Sequence, residues 1–160
     1  MNPTKNELSL EKRTKLAELL NARLADLIDL SLQGKQAHWN VKGPRFIGLH
    51  ELFDEIVEKL APLVDEVAER LVALGGMAEG TVGAVSRRTS LSAYPMNISS
   101  GRDHVDALST ALATAGKQVR ASIDKATELG DADTADLFTD VSRFLDKQLW
   151  FVEAHLQGDT

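Results

Sequence analysis

Leu52, Ile56, Leu60, Leu63, Val67, Leu71 and Leu74 recur at spacings of four, four, three, four, four and three. That is the apolar stripe of an amphipathic helix. It predicts a helix from about Arg45 to Leu74, closed by Gly75 and Gly76, because glycine reaches the left-handed backbone that ends helices. Pro62 lies inside it, lacks an amide hydrogen and is expected to kink it. Upstream, Leu16, Leu20, Leu24, Leu27 and Ile28 predict a first helix from about Ser9 to Gln36, and Asn40 to Pro44 has turn chemistry. Residues 77–99 carry Gly80, Gly83, Pro95 and several serines, and read as a long irregular crossover with a short helix around Thr81 to Arg87. A third helix starts near Ser100, whose pairing with Asp103 resembles a capping box, and ends near Gly130. A fourth, capped by Asp131 or Asp133, continues to about Leu156. The pattern is all-α: a four-helix bundle whose long crossover sets the third helix parallel to the second.

Residues 1–160 are enough for one domain with a full core, with short flexible tails expected at about 1–8 and 157–160. No apolar run is long enough for a membrane span, and residues 1–20 lack a signal-peptide core, so the expected location is the cytoplasm. The absence of cysteine excludes disulfides, thiol catalysis and thiolate metal sites. Neither a P-loop nor a Rossmann glycine pattern occurs. A net charge of −6 gives a field that attracts cations rather than nucleic acid.

The polar side of the second helix carries the chemistry. His50 and Asp54 are four apart, as are Asp65 and Glu69, so all four fall within a sector of roughly 100°. Yet Asp54 and Asp65 are about 16 Å apart along the axis, too far to share an ion. The two pairs are symmetric about the point midway between Lys59 and Leu60. A second copy running antiparallel about a two-fold axis there sets His50 opposite Glu69 and Asp54 opposite Asp65. Two identical metal sites shared between subunits would result. Ala61 and Ala68, in or near the same sector, allow close helix approach. A solvated acidic face with ordinary i,i+4 charges fits the same pattern. His38, at the end of the first helix, extends the set to two imidazoles and three carboxylates, a donor set for iron, manganese or zinc. Glu-x-x-His, which marks di-iron sites inside one bundle, is absent.

The segment from His38 to Asp54, HWNVKGPRFIGLHELFD, resembles the first signature of the Dps family, the miniferritins that protect DNA during starvation. Asp65 to Arg70, DEVAER, with the following Leu74, Gly75 and Gly76, resembles the second. The segments from Ser92 to Ile98 and from Asp146 to Phe151 are similar to family segments too, and the likeness runs from about Leu16 to Leu156. The resemblance implies a ferritin-like four-helix subunit and a hollow homo-dodecamer built from two-fold dimers. It also implies a ferroxidase whose ligands are His38, His50, Asp54, Asp65 and Glu69, oxidising Fe(II), preferably with hydrogen peroxide, and storing ferric mineral. Zinc or manganese suits the same ligands. Trp39 looks like the family's tryptophan beside the site, with interface packing as the alternative reading, and Trp150 is expected in core or interface packing. Lys35 could tether a site carboxylate, though an exposed lysine is the default reading.

The acidic residues Glu128, Asp131, Asp133 and Asp136 are candidates for lining a three-fold iron pore, Asp136 foremost; capping is the alternative for Asp131 and Asp133. His104 and His155, without partners at ligand spacing, read as surface or interface residues. The alternative function is a nucleoid-compacting DNA-binding protein with secondary iron chemistry. Its basic groups would be Lys5, Lys12, Arg13 and Lys15, beside an acidic C-terminal segment, Gly158 to Thr160.

Overall fold

A computed structural model describes residues 1–157; the C-terminal segment expected to be a tail lies, at 158–160, outside the described residues. Five helices follow in order: α1 (Leu10–Asn40), α2 (Phe46–Ala73), α3 (Val82–Arg88), α4 (Gly101–Glu128) and α5 (Ala132–Glu153). No strand occurs among the described residues, only one isolated bridge between Lys42 and Ser100. α1 runs four residues past the expected end at Gln36, and His38 sits in its last turn, at the end of the helix as expected. α2 runs unbroken through Pro62.

The predicted stripe faces inward. Ile56, Leu60, Val67, Leu71 and Leu74 are at most 1% exposed, and Phe53 fills the same core at 0%. From α1 the core takes Leu16, Leu20, Leu24, Leu27 and Leu30, and from α5 Phe138, Val141 and Leu145. The polar side of α2 is thereby turned away from the subunit's own core.

Two antiparallel hairpins, α1 with α2 and α4 with α5, pack through α1 against α4 and α2 against α5. The crossover makes α2 and α4 parallel, and two sets of hydrogen bonds fix this. At one end Lys42 N donates to Ser99 O (2.9 Å) and Gly101 N to Lys42 O (3.1 Å), joining the starts of α2 and α4. At the other, Arg70 near the end of α2 donates to Asp131 Oδ1 (2.7 Å) at the start of α5.

The ends are set locally. Ser9 and Ser100 cap α1 and α4, their side chains accepting from the third residue onward. α2 ends in a Schellman turn: Gly76 N donates to Leu71 O (3.0 Å) and Gly75 N to Val72 O (2.8 Å). Gly75 has φ +88°, and a Cβ there would lie 2.5 Å from Asn2 O. The segment expected to be a flexible N-terminal tail lies against this turn: Asn2 N donates to Gly75 O (2.6 Å), and Leu8 packs on the core. Arg13 is 8% exposed and donates to Leu74 O (3.0 Å) and Leu8 O (3.2 Å), so it does not belong to an exposed basic tail.

A buried ionic group holds the crossover. Asp26, at 0% exposure, accepts from Ser90 N (2.7 Å) and Ser90 Oγ (2.9 Å). Arg23 Nη2 lies 3.0 Å from Asp26 Oδ2, an ion pair whose angles fall short of a good hydrogen bond. Arg23 also donates to Gln118 O (3.0 Å), tying α1 to α4. Burial lowers the Arg23 pKa, and Asp26 opposes that shift.

Candidate metal centre

His38 and His50 meet where the last turn of α1 faces the first turns of α2. Each ring is held by the other's backbone: His38 Nδ1 lies 2.7 Å from His50 O, and His50 Nδ1 lies 2.8 Å from His38 O. A carbonyl only accepts, so both Nδ1 atoms carry the hydrogen, and both Nε2 atoms are left with bare lone pairs. That is the tautomer a metal-binding histidine needs, fixed by hydrogen bonds of the kind that orient metal ligands. The rings stack with centroids 3.7 Å apart, and Phe46 flanks His50 at 5.0 Å.

Asp54, one turn beyond His50, completes the group: His38 Nε2 is 4.0 Å from Asp54 Oδ2. Lys35 forms an ion pair with Asp54 Oδ1. The default reading of Lys35 as a surface lysine is therefore corrected; it reaches across from α1 and tethers the carboxylate. The Lys35 hydrogen bond, opposed by partial burial and helped by the Lys35 charge and by either imidazole when protonated, holds the Asp54 carboxyl below its ordinary pKa. The signal was present in the spacing, since Lys35 precedes His38 by three residues and shares its helix face.

Gly34 allows this approach. A Cβ there would sit 2.6 Å from Val57 Cγ2, so α1 and α2 touch at a point where alanine would collide.

Asp65 and Glu69 are not brought to this group. Both are exposed on α2, eleven and fifteen residues beyond Asp54. Among the described residues of one chain, no three His, Asp or Glu side chains gather closely enough to hold a metal. The chain thus presents two stacked imidazoles, with the Asp54 carboxylate 4.0 Å from that of His38, at one end of α2 and two exposed carboxylates toward the other. Trp39, Phe46 and Ile47, around the first group, are 67%, 38% and 60% exposed.

Other candidates sort clearly. Asp131 is 4% exposed, caps α5 through Thr134 and pairs with Arg70, so it is a structural cap and not a pore residue. Burial acts to raise its pKa, but hydrogen bonds from Thr134 and Arg70 prevail and lower it. Asp133 lies 3.6 Å from Arg70 and is mostly exposed, while Asp136 and Glu128 are exposed. Trp150 is 60% exposed and outside the subunit's core. His104 is corrected from a surface residue to a core one: it is 1% exposed, with Nδ1 at 2.7 Å from Tyr94 Oη. Its burial lowers its pKa, against the Asn40 carbonyl and Asp103, which act to raise it. His155 is half-buried beside Arg45, which donates to its carbonyl at 2.8 Å.

Comparison with known proteins agrees with the fold. The family described as "Ferritin-like domain" matches residues 17–159. The chain is 49% identical to the "DNA protection during starvation protein" of Agrobacterium fabrum, over 96% of this chain and 95% of that one. Among solved structures, Mycobacterium smegmatis Dps in a tetragonal form superposes with a TM-score of 0.93 at 37% identity, covering 98% of this chain and 96% of that one. Vibrio cholerae Dps, described as a member of a broad superfamily of ferritin-like diiron-carboxylate proteins, superposes with a TM-score of 0.90 at 27% identity and covers 98% of both chains. With its four long helices, long crossover and histidine–carboxylate face, the chain belongs to the Dps family of ferritin-like proteins.

Proposed function

We propose that this protein is a ferroxidase and iron store. It oxidises Fe(II), preferably with hydrogen peroxide, at sites shared between two-fold-related subunits of a hollow dodecamer, and keeps the product as ferric mineral. The observation that carries this reading is the reciprocal locking of His38 and His50, which leaves two imidazole lone pairs and the Asp54 carboxylate beside one another. Three donors do not complete the site. In this reading the antiparallel partner supplies its own Asp65 and Glu69, an arrangement that the symmetry about the midpoint of Lys59 and Leu60 supports. The exposed Trp39, Phe46 and Ile47 are apolar surface that such a contact would bury.

The donor set suits the chemistry. Two neutral imidazoles and three carboxylates bring three negative charges to two ferrous ions, and hold more strongly as each ion gains charge. Few protein donors per ion leave positions for peroxide. Each ferrous ion gives one electron to the same peroxide; the O–O bond breaks, two protons are taken up, and two waters form. Because both electrons arrive together, hydroxyl radical is not released. Lys35 holds Asp54 until iron arrives and must then yield it. Zinc or manganese suits the same donors. The exposed Asp136 is our candidate for the iron-entry pore.

The alternative is a DNA-compacting role. The Agrobacterium fabrum relative carries DNA protection in its name, and removing ferrous iron and peroxide protects DNA without contact. Two observations favour the iron reading: the net charge of −6, and the burial of Arg13, which removes one of the few basic groups near the N-terminus. No helix among the described residues is long and apolar enough to cross a membrane. The site of action we propose is the cytoplasm.

The test is anaerobic loading with Fe(II), then stoichiometric peroxide, with absorbance and hydroxyl-radical trapping read together. Rapid oxidation with little trapped radical is expected. Asp65→Asn combined with Glu69→Gln should abolish the fast phase while light scattering still reports the assembled shell. Unchanged kinetics in that variant would sink the assignment.

A further inference from the structure

A second concave site lies on the other side of the α1–α2 connection. It is a cavity of about 400 Å³ between that connection, the start of α4 and the end of α5. Its volume is within the range of small-molecule pockets, about 300–1,000 Å³. Leu49 and Val105, each 1% exposed within the protein core, form its apolar floor. Lys42, Arg102 and His155 stand around it, and Arg45 fastens the end of α5 through the His155 carbonyl. Among the described residues, no carboxylate lines the cavity. In a chain with 24 acidic and 18 basic residues, described lining residues that include several cationic side chains and no acidic one depart from the average surface.

Two of the backbone amides here are already used. Lys42 N and Gly101 N donate to Ser99 O and Lys42 O. Ser100 Oγ is engaged with Asp103. Recognition of an anion therefore falls to the side chains of Lys42 and Arg102, neither of which pairs with a carboxylate among the described residues, and to the His155 ring. An ammonium and a planar guanidinium over an apolar floor select a ligand with two parts: a head of high negative charge and an apolar body. A simple inorganic anion would leave the floor wet, and a neutral apolar molecule would leave the cations unmatched.

We propose that this pocket binds a small phosphomonoester bearing an apolar group. The head carries about −1.5 to −2 charges near neutral pH, which matches Lys42 and Arg102 together. The apolar body rests on Leu49 and Val105. The site shares no residue with the metal centre, so it stands or falls independently of the ferroxidase reading.

The experiment is equilibrium dialysis of the assembled, metal-free protein against phenyl phosphate, with inorganic phosphate and phenol as its two halves. Phenyl phosphate should bind more tightly than either half. Lys42→Gln and Arg102→Gln should each weaken it by about tenfold, the loss of one charge-assisted hydrogen bond. Both variants should keep wild-type ferrous oxidation, which shows that the shell is intact. Absence of binding at millimolar phenyl phosphate would overturn the proposal, as would affinity unchanged in both variants. Equal binding of inorganic phosphate would also overturn it, reducing the pocket to a charged patch.

Discussion

Removing the Asp26 carboxylate is expected to be among the most damaging single changes outside the metal centre. Asp26, itself at 0% exposure, accepts from Ser90 N at 2.7 Å and Ser90 Oγ at 2.9 Å, and lies 3.0 Å from Arg23 Nη2. In Asp26→Ala, the Ser90 amide loses its acceptor and Arg23, 8% exposed, loses its counter-charge. Arg23 retains Gln118 O at 3.0 Å and Ser122 Oγ at 3.3 Å, so its desolvation is partly offset. Breaking a buried pair by deleting one partner costs about 3–5 kcal/mol, and the retained bonds to Gln118 argue for the lower half of that range. For a chain of this size each kcal/mol moves the melting temperature by about 2–4 °C, so a fall of roughly 6–15 °C is expected. Scanning calorimetry at fixed protein concentration measures it. The double variant Arg23→Met with Asp26→Leu should recover much of the loss, because it leaves neither charge stranded. A melting temperature for Asp26→Ala within about 2 °C of wild type would refute the reasoning, since less than about 1 kcal/mol would then be at stake.

Three further outcomes follow from the same geometry. Gly34→Ala drives a methyl into Val57, which overpacks the α1–α2 contact beside His38; a loss of about 1–3 kcal/mol in denaturant titration and slower ferrous oxidation are expected. Lys35→Gln removes the cation that competes for Asp54, so zinc affinity measured by chelator competition should rise several-fold, and an unchanged affinity would mean the tether does not oppose the metal. His104 has a folded pKa below its unfolded value of about 6.5, so the unfolded state binds the extra proton first; stability is full above that pH and declines as pH falls toward the folded pKa. Denaturant midpoints at pH 7.5 and 5.5 should therefore lie closer together in His104→Phe than in wild type, even if that variant is less stable at both.

The helices and their inward faces were legible because the period of an amphipathic helix is a local property: Ile56, Leu60, Val67 and Leu71 lie where the spacing put them. The crossover was legible too, because Pro and Gly interrupt periodicity wherever the chain folds. His50 and Asp54 were recoverable because residues four apart on a helix must share a face. His38 meeting His50 was not derivable from spacing. It depends on the turn at residues 41–45 and on how closely α1 and α2 approach, which Gly34 permits. Only the folded chain set the imidazole tautomers, since each Nδ1 is bonded to a backbone carbonyl on the other helix. Tertiary contacts likewise turned Arg13 from a tail cation into a clasp on Leu74, made Asp131 the partner of Arg70, and buried His104 against Tyr94. A charged or polar side chain takes its role from what lies across from it, and that neighbour is distant in the chain. An apolar one at helical spacing needs only to face inward, and so the sequence by itself determined the bundle, while tertiary structure decided how its polar residues are used.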